Sequence, residues 1–449
     1  MGETDYRRLA DALAEEIGTG RLRPGARLEP VRRFAYEHGI AVSTASRVYA
    51  ELGRRGLVAG EVGRGTYVRA GLAPPPLAEP GRADLVDFEF NFPTVPGQAE
   101  ALAAVLREAL SPERAAEAMR PVGAQGHAAA RAAVSRHLAR GGWTPAPEHL
   151  LFAGGGRQAI GAAIAACVAA GERLGVEAMT YPAVKAMSAR LGLVPVPLAM
   201  DAEGLLPEAV EAAMRAGPLK AVYVQPVIHN PTGATMGEER RRALAALASR
   251  EGIALIEDAV FGFLDDSPLP PLIALAPDRV LLVDGMSKRA SPGLSSGFVV
   301  APSATLRRRA AAAIRAGAWH ASPIGLAAVT AWMDSGLLGT LEARKRQDAR
   351  ARQAVLREGL ASHALRGDPR AYHLWLELPE AWRSDAFATA ALRRGVAVTA
   401  SSAFTTQPGH APNGVRLAFS SPALPAMREG IAILAELLAQ GGEAEMPPE

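Results

Sequence analysis

The sequence predicts an α/β chain in two parts: a small head of three helices and a hairpin, then a large body with a mostly parallel sheet covered by helices. Three observations carry this reading. Charge is uneven, with 12 arginines against 9 acidic residues in positions 1–70 and a balance of 37 against 37 in the remaining 379. The first seventy residues pass from helical spacing of apolar residues to a glycine-punctuated alternation. From about residue 87, continuous apolar runs of strand length alternate with alanine-rich helical stretches, as in strands buried on both faces.

Residues 5–18 place Leu9, Ala12, Leu13, Glu16 and Ile17 at helical spacing, which predicts a helix with that stripe inward. Glycine and proline in GTGRLRPGARL make the next segment a turn. VRRFAYEHG predicts a short helix ending at Gly39, and Val42 to Arg55 a third, with Val48 and Leu52 inward and Ser43, Thr44 and Arg47 opposite. LVAGEVGRGTYV, punctuated by Gly60, Gly63 and Gly65, predicts a hairpin. This is the arrangement of a winged helix-turn-helix, whose third helix enters the major groove while the wing touches the backbone. Pattern alone equally fits a helical cap with an arginine-rich solvated face.

Residues 70–83 carry four prolines, so no helix or central strand continues through them, and a semi-rigid spacer is predicted. In the body the predicted strands are LLFA (150–153), LGVEA (174–178), KAVYVQP (220–226), IALIED (253–258), RVLLVD (279–284) and SGFVVAP (296–302). Ligands of such sheets gather at the carboxyl ends of the strands. Those ends are polar here: GGGRQ, TY, HNPTG, Asp258 and SK.

Composition removes other classes. At 449 residues, 49% hydrophobic and 21% charged, the chain is neither disordered nor fibrous. One cysteine, Cys167, excludes a disulfide framework and fits a reducing cytoplasm. The start MGETDYRRLADALAEE lacks an apolar signal core, and the most apolar stretch, 159–171, is too short to span a bilayer. A soluble cytoplasmic protein without a membrane partner is expected. The histidines, such as His127 and His320, show no metal-ligand spacing, and no metal is expected.

The strand-end residues make chemical sense as a pyridoxal phosphate (PLP) site. A lysine amine forms a Schiff base with an aldehyde, which arginine does not. Of the four lysines, Lys185, Lys220, Lys288 and Lys345, only Lys288 sits past a strand beside a serine. Asp258 is placed to keep a pyridine nitrogen protonated, Asn230 to hydrogen-bond a ring hydroxyl, and Tyr181 to stack on the ring. The run Gly154-Gly155-Gly156 opens a helix whose amides suit a phosphate. Each signal is weak alone; their order on successive strands is not.

YRRLADALAEEI, RLRPGARLEPVRRFA, GIAVSTASRVYAEL and GRGTYV resemble the DNA-binding domain of GntR-type regulators over residues 5–69. The ordered strand-end motifs resemble fold-type I aminotransferases of class I/II over roughly residues 85–440. Together the chain resembles MocR-type regulators, the GntR branch fused to an aminotransferase-like domain. The resemblance implies a winged-helix domain at 1–69, a proline-rich linker at 70–86 and a PLP-binding domain at 87–449. Within the last, a large part lies at about 110–325 and a smaller C-terminal α+β subdomain at about 330–440. It implies that Lys288 in DGMSKRASPGLSSG is the Schiff-base lysine, that Asp258 in IEDAVFGF pairs with the pyridinium, that Asn230 in HNPTG meets the ring oxygen and that Tyr181 in MTYP stacks. Ser287, Gly156 and Arg157 then lie near the phosphate, and Arg416 in NGVRLAFS clamps a substrate α-carboxylate. In the head, Arg32, Thr44, Arg47 and Arg64 contact promoter DNA, with Gly65 letting the wing approach. A homodimer is implied, with cofactor sites at the subunit interface.

Three positions depart from the family pattern. Glu29-Pro30 stands where Pro-Ser is usual. Phe261 replaces the tyrosine three residues after the aspartate, removing a phenol from the ring oxygen. Ser295 replaces a phosphate-binding arginine seven positions past the lysine, and Arg289 or Arg157 is left to compensate. The favoured expectation is a regulator that senses PLP or an amino compound. The alternatives are a working aminotransferase with an accessory head and a body that has lost its cofactor and only dimerises.

Overall fold

The computed structural model describes residues 4–18, 21–22, 26–54, 57–61, 65–68, 85–317, 319–407 and 411–441. The head has helices Thr4–Gly18, Val31–Glu37 and Val42–Arg54, then antiparallel strands Val58–Glu61 and Gly65–Val68. Its core is Tyr6, Ala10, Ala14, Phe34, Val48, Leu52, Leu57 and Val68. The inward stripe of the first helix therefore runs through Tyr6, Ala10 and Ala14, one face over from the predicted one. Leu9, Leu13 and Ile17 flank it, and Ala12 faces solvent. Small alanines let the helix axes approach, which periodicity of large residues does not register. The third helix buries Val48 and Leu52 as predicted. The spacer predicted at 70–83 lies outside the described residues.

The body contains a seven-stranded sheet in the order Leu150–Ala153, Gly297–Val300, Val280–Gly285, Ala254–Asp258, Ala221–Val224, Arg173–Glu177, Val194–Leu198. All pairs are parallel except the two made by Gly297–Val300. Six of these are the predicted strands. The seventh, VPVPL, is an edge strand whose outer exposure tolerates Pro195 and Pro197. Successive residues of the central strands enter two different cores: Val222, Val224 and Leu282 join Val134, Leu244 and Trp332 on one face. Tyr223, Leu281 and Val283 join Ile160, Ile164 and Ile314 on the other. Two-sided burial is why these strands read as unbroken apolar runs.

A second sheet runs Leu365–Arg366, His373–Glu377, Gly414–Ala418, Val396–Ala400, Val86–Phe88. Helices Leu337–Gly359, Ser384–Arg393 and Leu424–Gln440 cover it around Leu356, Phe387 and Leu434. Its last strand comes from the start of the body and pairs in parallel with Val396–Val398. Among the described residues no single helix is long and apolar enough to cross a membrane.

Candidate functional site

The site lies where the strands of the large sheet end. Strand Val280–Gly285 runs into the short helix Met286–Arg289, which carries Ser287 and Lys288. That turn packs against the start of helix Gly156–Cys167. A Cβ on Gly297 would fall 2.2 Å from Gly155 O, and one on Gly285 3.2 Å from Gly156 N. Glycine at 297 and 285 thus brings the lysine turn against the helix start that carries Gly156 and Arg157. Tyr181 precedes helix Pro182–Arg190, where proline begins a helix at no hydrogen-bond cost. Its hydroxyl accepts from Arg157 Nε at 2.8 Å.

Asp258 ends strand Ala254–Asp258 and is fully buried. Its Oδ2 accepts from Tyr223 Oη at 2.5 Å and Gln225 Nε2 at 3.1 Å, and its Oδ1 from Val260 N at 3.1 Å. Burial outweighs these donors and raises the carboxyl from its ordinary 3.8 to about 6. Gln225 Oε1 accepts from Asn230 N at 3.1 Å, so one amide ties Asp258 to Asn230. Asn230 Oδ1 accepts from Arg416 Nη1 at 2.9 Å. With its oxygen committed, the Asn230 amide keeps Nδ2 as its donor end.

Arg416 sits on Gly414–Ala418 in the small sheet. Its Nη2 donates to Thr399 Oγ1 at 3.0 Å and, in a short contact, to Glu89 O, and its guanidinium lies 5.0 Å over the Phe404 ring. Its Nε is buried without a partner among the described residues, and burial lowers its pKa to about 10. Lys288 Nζ donates to Asn91 O at 2.5 Å and lies 3.4 Å from the Phe92 ring centroid. Burial, with the charges of Arg416, Arg157 and Lys345, holds the amine well below the ordinary lysine range.

Of the two arginines left to replace the missing phosphate contact, Arg289 is committed elsewhere. Its Nη2 binds Asp284 Oδ2 at 2.5 Å and its Nη1 binds Glu342 Oε1 at 2.7 Å, in a buried network with His137. Among the described residues Arg157 is held by Tyr181 alone. Ser295 Oγ lies at Gly155, 2.5 Å from where a Cβ would stand. Phe261 packs into an apolar cluster with its ring 5.2 Å from that of His373.

Sequence reasoning missed Tyr223, Gln225, Asn91, Phe92, His373 and Lys345. Tyr223 and Gln225 fall in a run read only as a strand, where two polar side chains beside apolar ones were the available signal. His373 Nε2 lies 3.0 Å from His229 O and its Nδ1 3.3 Å from Asn91 Nδ2; burial lowers its pKa to about 3, so the ring is neutral with the proton on Nε2. Lys345 Nζ donates to Lys288 O at 3.0 Å and Ala290 O at 3.4 Å, fixing the turn that carries Lys288.

In the head, Arg32 and Arg47 are exposed and Thr44 half-exposed, on the second and third helices. The Arg47 guanidinium lies 4.7 Å over the Tyr6 ring. Gly65 has φ +113, and a Cβ there would fall 2.8 Å from Arg27 Nε. Arg64 lies outside the described residues. Glu29 O accepts from Tyr49 Oη at 2.7 Å and Pro30 caps the second helix, so the Glu29-Pro30 turn is held by the head's own core.

Residues 83–431 match the aminotransferase class I and II family, and residues 5–68 the gntR family of bacterial regulatory proteins. The chain is 30% identical over 443 residues to the HTH-type transcriptional regulator YdeF of Bacillus subtilis, covering 96% of this chain and 94% of that one. It is 27% identical to the pyridoxine biosynthesis transcriptional regulator PdxR of Corynebacterium glutamicum, over 92% of this chain and 91% of the other. The fold resembles an archaeal alanine:glyoxylate aminotransferase, with TM-score 0.73 and 22% identity over 79% of this chain and 91% of that one. It also resembles the α-aminoadipate aminotransferase LysN of Thermus thermophilus, solved with N-(5′-phosphopyridoxyl)-L-leucine, with TM-score 0.71 and 22% identity over 80% and 93% of the two chains. A gntR-family head joined to a class I and II aminotransferase domain along nearly the whole length of its relatives places this chain in the MocR-type branch of the GntR regulators.

Proposed function

We propose that the protein is a DNA-binding transcription regulator whose body holds PLP and through it senses an amino compound. One observation carries the cofactor reading. Lys288 and Arg416 are buried with no carboxylate in an ion pair to either among the described residues, the exposed Arg157 adds its charge beside Lys288, and Asp258 is buried with no cation. Buried charges are ordinarily paired. A phosphate, a carboxylate, a protonated ring nitrogen and an aldehyde are the groups that would satisfy this set.

In this reading Lys288, its pKa lowered by burial and its cationic neighbours, is the amine that attaches the aldehyde. Asp258 holds the ring nitrogen's proton, Asn230 offers Nδ2 to the ring oxygen, and Tyr181 covers the ring face. Ser287, the amide of Gly156 and the guanidinium of Arg157 hold the phosphate, with Arg157 supplying the charge that Ser295 lacks. Arg416 receives the α-carboxylate of the amino compound. When bound, PLP supplies an electron-accepting ring conjugated to the captured amine. Arg32, Thr44, Arg47, Arg64 and Gly65 form the promoter-DNA face. The protein works in the cytoplasm as a homodimer. Among the relatives, PdxR is named for pyridoxine biosynthesis and PtsJ of Salmonella typhimurium for vitamin B6 salvage, which supports a B6-linked signal.

Two measurements test this. Added PLP should produce a visible absorption band that Lys288→Ala removes. A promoter fragment from upstream of the protein's own gene should bind with an affinity that PLP changes. A protein that stays colourless with PLP refutes the cofactor reading, and one that binds no such fragment refutes the regulator reading.

A further inference from the structure

Both charged groups that would grip an amino compound are already capped, and by one run of backbone. Arg416 Nη2 donates to Glu89 O, and Lys288 Nζ donates to Asn91 O. The run is shaped for this position. Asp87 Oδ1 accepts from Glu89 N at 2.7 Å and Phe90 N at 3.1 Å, bending the chain just after strand Val86–Phe88. Ser421 Oγ pins Phe90 O at 2.9 Å, and Phe92 places its ring against the lysine amine. Two carbonyls thus stand where a ligand's acceptors would stand.

The run also joins two bodies. Lys288 belongs to the large sheet, whereas Arg416 and Val86–Phe88 belong to the small one. Val86–Phe88 is moreover the first described element after the chain leaves the head through residues 69–84. We propose that Glu89–Phe92 is a latch: in the ligand-free protein its carbonyls occupy the amino-compound site, and a bound amino carboxylate expels it, altering the link between small sheet and head. The proposal rests on the cofactor reading above and names how that site is regulated.

The chemistry favours expulsion. A carboxylate offers guanidinium two charged acceptors in a plane, a stronger partner than one neutral carbonyl. Condensation of the Lys288 amine with an aldehyde, releasing water, leaves the nitrogen at most one proton to donate where the free amine had two. Both latch bonds therefore weaken together only when the cofactor's aldehyde and an α-carboxylate are both present. Cofactor alone loosens one end.

The test uses full-length protein and two probes. N-(5′-phosphopyridoxyl)-L-alanine carries ring, phosphate and α-carboxylate, and pyridoxamine phosphate lacks the carboxylate. Both should bind. Neither probe carries an aldehyde, so both leave the Lys288 amine uncondensed and they differ at the Arg416 end: hydrogen exchange of the amides of residues 89–92 should rise with the first probe and not with the second, although ligands ordinarily slow exchange around their sites. Ser421→Ala, which removes a pin without touching a charged group of the site, should tighten the first probe roughly two- to tenfold. It should also move the promoter affinity of the free protein towards that of the loaded protein. If neither probe binds, the cofactor reading fails and the latch with it. If both bind while exchange at 89–92 stays flat or falls with the first probe, the latch is overturned and the cofactor reading stands. Equal promoter affinity in free and loaded protein overturns the transmission to the head.

Discussion

Asp258 is held buried at a cost to the folded chain. Burial raises its carboxyl above the ordinary 3.8 to about 6, so the fold favours the protonated form. Its contribution to stability is fully present below about pH 4 and is lost as pH rises through about 6, a loss of about 3 kcal/mol for a shift of this size. A protonated ring nitrogen against Oδ1 would restore the pairing. Ligand-free protein should therefore melt several degrees lower above about pH 7 than its Asp258→Asn variant, while the two melt alike near pH 4. PLP should stabilise the parent and not the variant. Calorimetry at the two pH values, with and without PLP, checks both, and a parent that gains no stability from PLP would sink the assigned role of Asp258. The other residue-scale lesson concerns visibility. Lys288, Asp258 and Asn230 could be singled out because each stands in a short motif at or just past a strand end, whereas Arg416, in the middle of Gly414–Ala418, was singled out only through the family resemblance of NGVRLAFS. Asn91 was not, because it reaches Lys288 across 197 positions through a backbone carbonyl, which has no residue-type signature. Arg289 looked available from sequence only because Glu342, which holds it, is 53 positions away.

At the scale of elements, one close approach in the body and one small core in the head allow the two parts to be tested separately. Strand Gly297–Val300 passes so near the helix start at Gly155 that Gly297→Ala must push them apart. The expected outcome is weaker PLP binding by absorbance titration, with promoter binding by the apo form unchanged. In the head, helix Val42–Arg54 buries Leu52 completely in a core of few residues. Leu52→Ala should cost about 2–5 kcal/mol, enough to melt so small a unit. DNA binding should vanish while the PLP-bound body keeps its own transition in the scan. Arg47→Ala should leave that transition and the head's helicity intact, yet weaken promoter binding and lower the salt slope by roughly one; an unchanged slope would remove Arg47 from the DNA face. Elements were read well wherever apolar runs or spacing decide them, as in the six predicted strands of the large sheet and the third helix. The inward face of the first helix and the edge strand VPVPL were not, since small alanines and prolines carry little periodic signal.

At the scale of the whole molecule, the charge asymmetry and the two-sheet body point the same way. The basic excess lies in the head, and the balanced body contributes no net attraction to phosphate. One winged helix reads only a few base pairs, so strong, specific binding requires two heads on one operator, as a twofold dimer supplies. Half-sites should then lie a whole number of helical turns apart, with centres separated by multiples of about 34–36 Å. Sedimentation of the protein with an operator fragment should show two chains per duplex. Deleting one half-site should cost on the order of 10²-fold in affinity or more, because the second contact gains from the high effective concentration set by the first. Inserting half a turn between the half-sites should cost nearly as much, since the paired heads would face opposite sides of the duplex. A complex of one chain per duplex, or equal affinity for whole and half operators, would show instead that each head acts alone, and the dimer would then have no part in recognition.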